Sequence, residues 1–201
     1  MIGLIAPGVL AALVAFALGG SARGWSQQHV RWSSLATCAL LAQAALFCPP
    51  LDHQPWVLVW GTWLWVVSML GVLAMLVRNT LVGKGRLRLA WTVAAVGVAA
   101  NVLVVTVNGG AMPRTIPLQA DAQDAAEHLS NVFVVESAAP LIWLGDVIAQ
   151  PDWLPRTNAV SIGDLLLSTG LAGWVFLAAL EGRQKRRGPA RTLAYIDGPP
   201  G

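Results

Sequence analysis

Asn108-Gly109-Gly110-Ala111-Met112-Pro113 is the point at which an apolar segment of this chain stops and a long, less apolar segment begins. Glycine adopts the positive φ angles that close a helix at its C-terminus, and proline cannot continue a helix. We therefore predict that a membrane helix ends here, that Gly109 and Gly110 have positive φ, and that Met112-Pro113 begins an extended exit. The alternative, two glycine N–H groups presented to an anion, lacks the continuation of a phosphate loop.

The composition is that of an integral membrane protein. Hydrophobic residues make up 56% of the 201 residues and charged residues 11%, against roughly 25% charged residues in soluble domains. Apolar runs of about 20 residues match a bilayer core of about 30 Å. We predict an all-α bundle of five transmembrane helices, at about Ile2–Leu18, Ser34–Phe47, Pro55–Val77, Leu89–Val107 and Gly163–Leu180.

The positions of lysine and arginine predict the orientation. With five spans, Arg114 and Arg156 fall on one side and the other basic residues on the opposite side. Because cytoplasmic loops retain basic residues, the N-terminus is expected outside and the C-terminus in the cytoplasm. The first helix is expected to be retained, since its positive charges follow the apolar run. The eleven residues on the cytoplasmic side are Arg23, Arg31, Arg78, Lys84, Arg86, Arg88, Arg183, Lys185, Arg186, Arg187 and Arg191.

The chain divides into a membrane domain, residues 1–181, and a basic tail, residues 182–201. The tail is expected to be disordered and to contact anionic lipid headgroups, or an acidic partner. Residues 108–160 form a long outer-face segment. Within it we predict a helix over Ala120–Val132 whose acids and histidine are solvated and bind no metal; these are Asp121, Asp124 and His128. Its apolar runs, Phe133–Val135 and Leu141–Leu144, are expected to lie on the membrane surface or cap the bundle.

Polar residues at the outer ends of the last two helices are the candidate site. Asn101 and Asn108 are seven residues apart and share a helix face with Gly97, so the two amides should bond across helices or hold a polar ligand. Ser161 and Asp164 have the spacing of a capping box. Asp146 and Asp164 are alternatively a pair of carboxylates that handles protons or a cation.

Tryptophans mark one face of the third predicted helix. Trp56, Trp60 and Trp63 recur at i, i+4 and i+7. They either line a flat apolar ligand such as a quinone, carotenoid or chlorin, or pack against a neighbouring helix or lipid, which we favour. The sequence contains no recognisable nucleophile–base set, metal-ligand spacing or cofactor fingerprint, and it leaves any cofactor unknown.

Taken in order, several short motifs resemble a known family. The chain is similar to the bacterial membrane family of unknown function 5317, most clearly from Arg78 to Phe176. The resemblance implies a small helical membrane protein and no known activity. We expect the protein to cross the bacterial cytoplasmic membrane several times. The motifs that carry it are Arg78-Asn79, Asn101, Asn108-Gly109-Gly110-x-Met112-Pro113, Leu144-Gly145-Asp146 and Ser161-x-Gly163-Asp164.

Two functions are compatible with these features. The favoured one is a non-catalytic accessory or structural subunit of a larger membrane complex, respiratory or photosynthetic, with other membrane subunits as partners and no nucleic acid. The alternative is a protein that binds a small molecule, lipid or quinone, or catalyses a reaction, at the outer membrane face. A transporter is disfavoured because no inverted repeat or intramembrane charge is evident.

Overall fold

The computed structural model describes residues 2–47, 51, 54–115, 132–134, 139–150 and 159–193. The described chain is mostly helical, and a small sheet joins its last two long helices. The helices are α1 (Ile2–Ala17), α2 (Ala22–Ser26), α3 (Ser33–Phe47), α4 (Pro55–Val82), α5 (Gly85–Val107) and α6 (Ile162–Leu193).

Three helices of the described chain are long and apolar enough to cross a membrane. They comprise Val59–Val82 of α4, Gly85–Val107 of α5 and Ile162–Gly182 of α6. The first two predicted spans are apolar but shorter, with 16 residues in α1 and 15 in α3. At 1.5 Å per residue these reach only about 22 to 24 Å, less than a hydrocarbon core of about 30 Å.

Several helices extend beyond their predicted apolar runs. Helix α4 continues past Val77 to Val82, and α5 begins at Gly85, before Leu89. Helix α6 continues to Leu193, into the segment expected to be disordered. The sequence Glu181 to Arg187 is rich in glutamate, glutamine, lysine and arginine, which are good helix formers. Residues 194–201 lie outside the described chain.

The helices pack side by side in a row. Helices α1 and α2 contact α6, α6 contacts α5, α5 contacts α4, and α4 contacts α3. Helix α5 therefore lies in the middle. Of the apolar window in each span, 56% is buried in α5 against 22% in α4 and 28% in α6. The Trp91 and Trp174 rings, 5.1 Å apart, pack between α5 and α6.

One end of the row collects the connections that carry basic residues. The Ser21 N–H donates to the Ala179 carbonyl at 3.0 Å, and the Trp25 indole donates to the Val175 carbonyl at 2.8 Å. These bonds bring the α1–α2 connection to α6. The Asn79 amide bonds the Arg31 backbone, which brings the start of α3 to the end of α4. We call this the basic end; its described basic residues include Arg23, Arg31, Arg78, Lys84, Arg86 and Arg88.

At the opposite end, four short strands form a sheet with the order β2-β1-β3-β4. Strand β1 is parallel to β2 and β3, and β3 is antiparallel to β4. The strands are β1 (Met112–Arg114), β2 (Val132–Val134), β3 (Asp146–Ala149) and β4 (Ala159–Ser161).

The sheet corrects the all-α prediction. Strands of three or four residues are too short to show an alternating pattern, and Pro113 lies in β1, between two other strands, where proline argues against a strand. Val132 begins β2, so the predicted helix Ala120–Val132 does not extend to its last residue. Residues 120–131 lie outside the described chain, together with Asp121, Asp124 and His128.

Helices α5 and α6 approach each other through small residues. A Cβ built on Gly170 would lie against the backbone of Ala94 and Ala90, closer than atoms can pack. A Cβ built on Gly97 would meet the Gly163 carbonyl and the backbone of Leu167 in the same way. Such small residues let helix backbones come into direct contact within a membrane.

We predict that Gly170→Ala lowers the free energy of unfolding by about 1 to 3 kcal/mol, because the added methyl group overpacks the α5–α6 contact. Gly71→Ala is the matched control: a Cβ there meets nothing within 4 Å. It should be neutral or stabilising by up to about 1 kcal/mol, since alanine is the better helix former. Denaturation of the two variants in detergent micelles measures both effects, and equal losses would contradict the close α5–α6 contact.

Candidate functional site

The candidate site lies where α5 ends against the sheet, and a glycine turn closes that helix. Gly109 has a φ of 69° and Gly110 a φ of 99°, as predicted. The Gly110 N–H donates to the Val105 carbonyl at 2.8 Å, and the Gly109 N–H donates to the Thr106 carbonyl at 3.3 Å. This pair of bonds is a Schellman motif. Because both N–H groups bond within the helix end, the geometry favours helix termination over an anion site.

The residues after the turn attach the sheet to the end of α5. Met112 and Leu144 pack in a buried cluster with Val104 and Val105. The Asn108 side-chain amide donates to the Val104 carbonyl at 2.8 Å and to the Pro140 carbonyl at 2.9 Å. Leu144 thus caps the bundle, one of the two alternatives predicted for that apolar run.

The polar residues at the start of α6 form a network with Asn101 of α5. The Asp164 N–H donates to Ser161 Oγ at 3.0 Å, and the Ser161 N–H donates to Asp164 Oδ2 at 3.3 Å. This reciprocal pair is a capping box. The Ser161 hydroxyl donates to Asn101 Oδ1 at 2.9 Å, and Asn101 Nδ2 donates to Asp164 Oδ1 at 2.7 Å. One network therefore caps α6 and ties it to α5; we call it the junction.

Asp146 lies beside the junction in the middle of the sheet. It pairs with Arg114 of β1 on one side and with Ser161 of β4 on the other. These residues are buried, with exposed fractions of 7% for Asp146, 3% for Arg114 and 0% for Ser161. The preceding Gly145 lies against the Pro113 carbonyl. The structure thus joins the Asn108–Pro113 break, the Gly145-Asp146 motif and the Ser161 cap.

Burial controls the ionisation of Asp146. The pKa of its carboxyl is raised from 3.8 to about 7, mainly by loss of solvation and also by the neighbouring Asp164 carboxylate, while Arg114 acts to lower it. Asp146 therefore changes charge near neutral pH. A buried acid with a perturbed pKa marks a candidate functional group. Asn101, Ser161 and Asp164, by contrast, bond to one another and have a structural role in the network.

The predicted tryptophan face lies on an exposed side of α4. The exposed fractions are 41% for Trp56, 60% for Trp60 and 64% for Trp63, so these side chains are largely uncovered within the described chain. Trp63 also lines a shallow groove of about 270 Å³ with Thr62, Thr106, Gly109 and Gly110. Through Trp63, the aromatic face thus adjoins the glycine turn at Gly109 and Gly110.

The structure shows that two residues not predicted as site residues, Arg114 and Asn79, are buried polar groups. Arg114 was predicted merely as a basic residue on the outer side, yet it is buried next to Asp146. Asn79 was noted only within a motif, yet its buried amide bonds the Arg31 backbone at the basic end. The available sequence signals were a lone arginine after Pro113 and an amide inside a long apolar helix. No group of three metal-ligating side chains occurs among the described residues.

Most of the chain matches a protein-family model. A family model described as "Family of unknown function (DUF5317)" matches residues 27–176. The match includes α3, α4, α5, the sheet, the junction and most of the apolar part of α6. No curated protein and no solved structure matches the chain.

We predict that Asp146→Asn flattens the dependence of stability on pH. Between about pH 4 and pH 7 the folded protein keeps a proton on Asp146 that the unfolded chain has released. The contribution of this group to stability therefore falls as the pH rises through that window and is constant above it. Asparagine, which stays neutral, removes this fall. The measurement is the thermal midpoint in detergent at pH 5 and pH 8.

The control for this prediction is Glu181→Gln, an acid at the basic end that accepts a hydrogen bond from Gln28. In this variant the thermal midpoint should change between pH 5 and pH 8 as it does in the wild-type protein. An Asp146→Asn variant with the same pH profile as wild type would contradict the assigned ionisation.

Proposed function

The chain belongs to the family of unknown function DUF5317, and we propose that it is a non-catalytic accessory subunit of a larger membrane protein complex. The observation that carries the proposal is the exposed tryptophan face of α4. The junction supports a non-catalytic role, because its polar side chains form hydrogen bonds with one another. Proposed partners are other membrane subunits, respiratory or photosynthetic.

We further propose that the protein crosses the bacterial cytoplasmic membrane five times, with its N-terminus outside and its C-terminus in the cytoplasm. Support comes from the packing of the two short helices, since α1 lies against α6 and α3 against α4, which are long enough to cross. Basic residues at one end of the row fit the positive-inside rule. The basic segment after Gly182 would contact anionic lipid headgroups.

The two sides of α4 differ in what they contact. Trp65 and Val66 pack toward the cluster at the end of α5. Val59, Trp60, Trp63 and Val67 are each at least 60% exposed and follow one another at helical spacing. Aromatic residues are enriched in protein interfaces, where they bury much apolar area at little cost in side-chain entropy. This stripe is therefore the proposed contact with another subunit.

A second function is favoured by Asp146. A buried carboxyl that ionises near neutral pH, between Arg114 and Ser161 and beside Asp164, suits a protein that binds a small molecule or transfers a proton at the outer face. The native purification described next separates the two functions. A small molecule retained by wild type and lost from Asp146→Asn, with no stoichiometric protein, would favour this second function.

We predict that mild-detergent purification of the wild-type protein from its native membrane recovers partner subunits in fixed stoichiometry. The double variant Trp60→Leu and Trp63→Leu should lose most of these partners while retaining its thermal midpoint, because both side chains are at least 60% exposed. Quantitative mass spectrometry of the purified complexes measures the loss.

The matched control is the double variant Leu10→Ala and Leu13→Ala on α1, whose side chains are 62% and 60% exposed. It should keep the partners. Recovery of a lone protein in several mild detergents, or equal loss in both variants, would count against the proposed interface.

A further inference from the structure

At the basic end, a buried amide fixes the loop that precedes α3. Asn79 is 3% exposed. Its Oδ1 accepts the Arg31 N–H at 2.9 Å, and its Nδ2 donates to the Arg31 carbonyl at 2.8 Å and to the Met75 carbonyl at 2.8 Å. One side chain therefore holds both backbone polar groups of Arg31 against the last turns of α4.

The residue held next to Arg31 has an unusual backbone. Trp32 has a φ of 59°, in the left-handed region that bulky residues rarely adopt. Such strain persists only where the surrounding structure imposes it, and it clusters at functional sites. The Trp32 indole is nonetheless 55% exposed, and the Arg78 guanidinium lies over its ring, 6.0 Å from the centroid. The fixed loop thus presents an aromatic ring beside a cation.

The surroundings of this loop combine positive charge with apolar surface. Arg31 is exposed, as are Lys84, Arg86 and Arg88 across the short connection from α4 to α5. One turn beyond Arg78, the apolar side chains of Leu81 and Val82 are 67% and 40% exposed. The acid Glu181, at the same end, already accepts a hydrogen bond from Gln28 at 2.8 Å. A ligand that complements this surface is anionic at one end and apolar at the other.

We propose that Arg31, Trp32 and Arg78 bind the phosphate headgroup of an anionic phospholipid at the basic end. Guanidinium groups form charge-assisted, frequently bidentate hydrogen bonds with phosphate. An exposed indole at the end of a membrane helix lies at the level of the headgroups, and Leu81 and Val82 offer contact to the acyl chains. Asn79 is a positioning residue, because it holds the loop and does not touch the lipid. The residues proposed here are different from those of the basic tail, the tryptophan face and Asp146.

Native mass spectrometry of the full chain tests the proposal after reconstitution into bilayer discs of phosphatidylglycerol and phosphatidylcholine. Wild type should retain phosphatidylglycerol in preference to phosphatidylcholine. Arg78→Gln should weaken that retention about tenfold, the expected effect of losing a hydrogen bond between charged groups. Arg23→Gln is the matched control: it removes the same charge from an exposed position in α2, away from the Arg31–Trp32–Arg78 surface, and should change retention less than twofold.

The variant Trp32→Gly distinguishes loss of lipid binding from loss of folding. Glycine adopts positive φ without strain, so this variant should keep its thermal midpoint yet retain less phosphatidylglycerol. Glycerol phosphate, which has the headgroup chemistry without acyl chains, should fail to displace the lipid at millimolar concentration. The proposal is overturned if Arg78→Gln and Arg23→Gln have equal effects, if Trp32→Gly retains the lipid fully, if glycerol phosphate displaces it, or if wild type has no preference.

Discussion

The hydrogen bonds between Asn101 of α5 and Ser161 and Asp164 at the start of α6 constrain the rest of the structure. An amide within an apolar helix must find a partner, since an unsatisfied polar group in hydrocarbon costs several kcal/mol. Asn101 finds two, at 2.9 Å and 2.7 Å, and both belong to the cap of α6. The bonds therefore fix where α6 begins relative to α5, and the Gly97–Gly163 contact allows the backbones to come close enough.

The sheet follows from this arrangement. Ser161 is both the cap of α6 and the last residue of β4, so the junction also fixes one edge of the sheet. Asp146 pairs with Ser161, Arg114 pairs with Asp146, and Met112 of the same strand packs on the end of α5. A continuous series of contacts thus leads from the cap at the start of α6, through the sheet, to the glycine turn at the end of α5. Asp146 is buried because it lies between β1 and β4 in this series of contacts. Its burial raises the pKa of its carboxyl to about 7.

The features that the sequence predicts correctly depend on residues that are close together in the chain. The capping box depends on residues three apart, and the positive φ of Gly109 and Gly110 depends on one helix end; both predictions were confirmed. Asn101 could be assigned an inward face but not a partner, because its partners lie about 60 residues further along the chain. The strands were missed because they are short, are paired over long distances and include Pro113. The membrane character followed from composition, whereas five crossings stay a prediction, since α1 and α3 are short.

A double-mutant cycle between Asn101 and Asp164 tests the central claim most directly. The free energies of unfolding of Asn101→Ala, Asp164→Ala and the double variant would be measured in detergent micelles. If the junction holds α5 to α6, the cycle gives a coupling of about 1 kcal/mol or more, within the range for interhelical hydrogen bonds and charged partners. Gln43 forms a hydrogen bond with Ser68 and not with the junction. The losses of unfolding free energy in Asn101→Ala and Gln43→Ala should therefore add. Additivity of Asn101 and Asp164 to within about 0.3 kcal/mol would contradict the account.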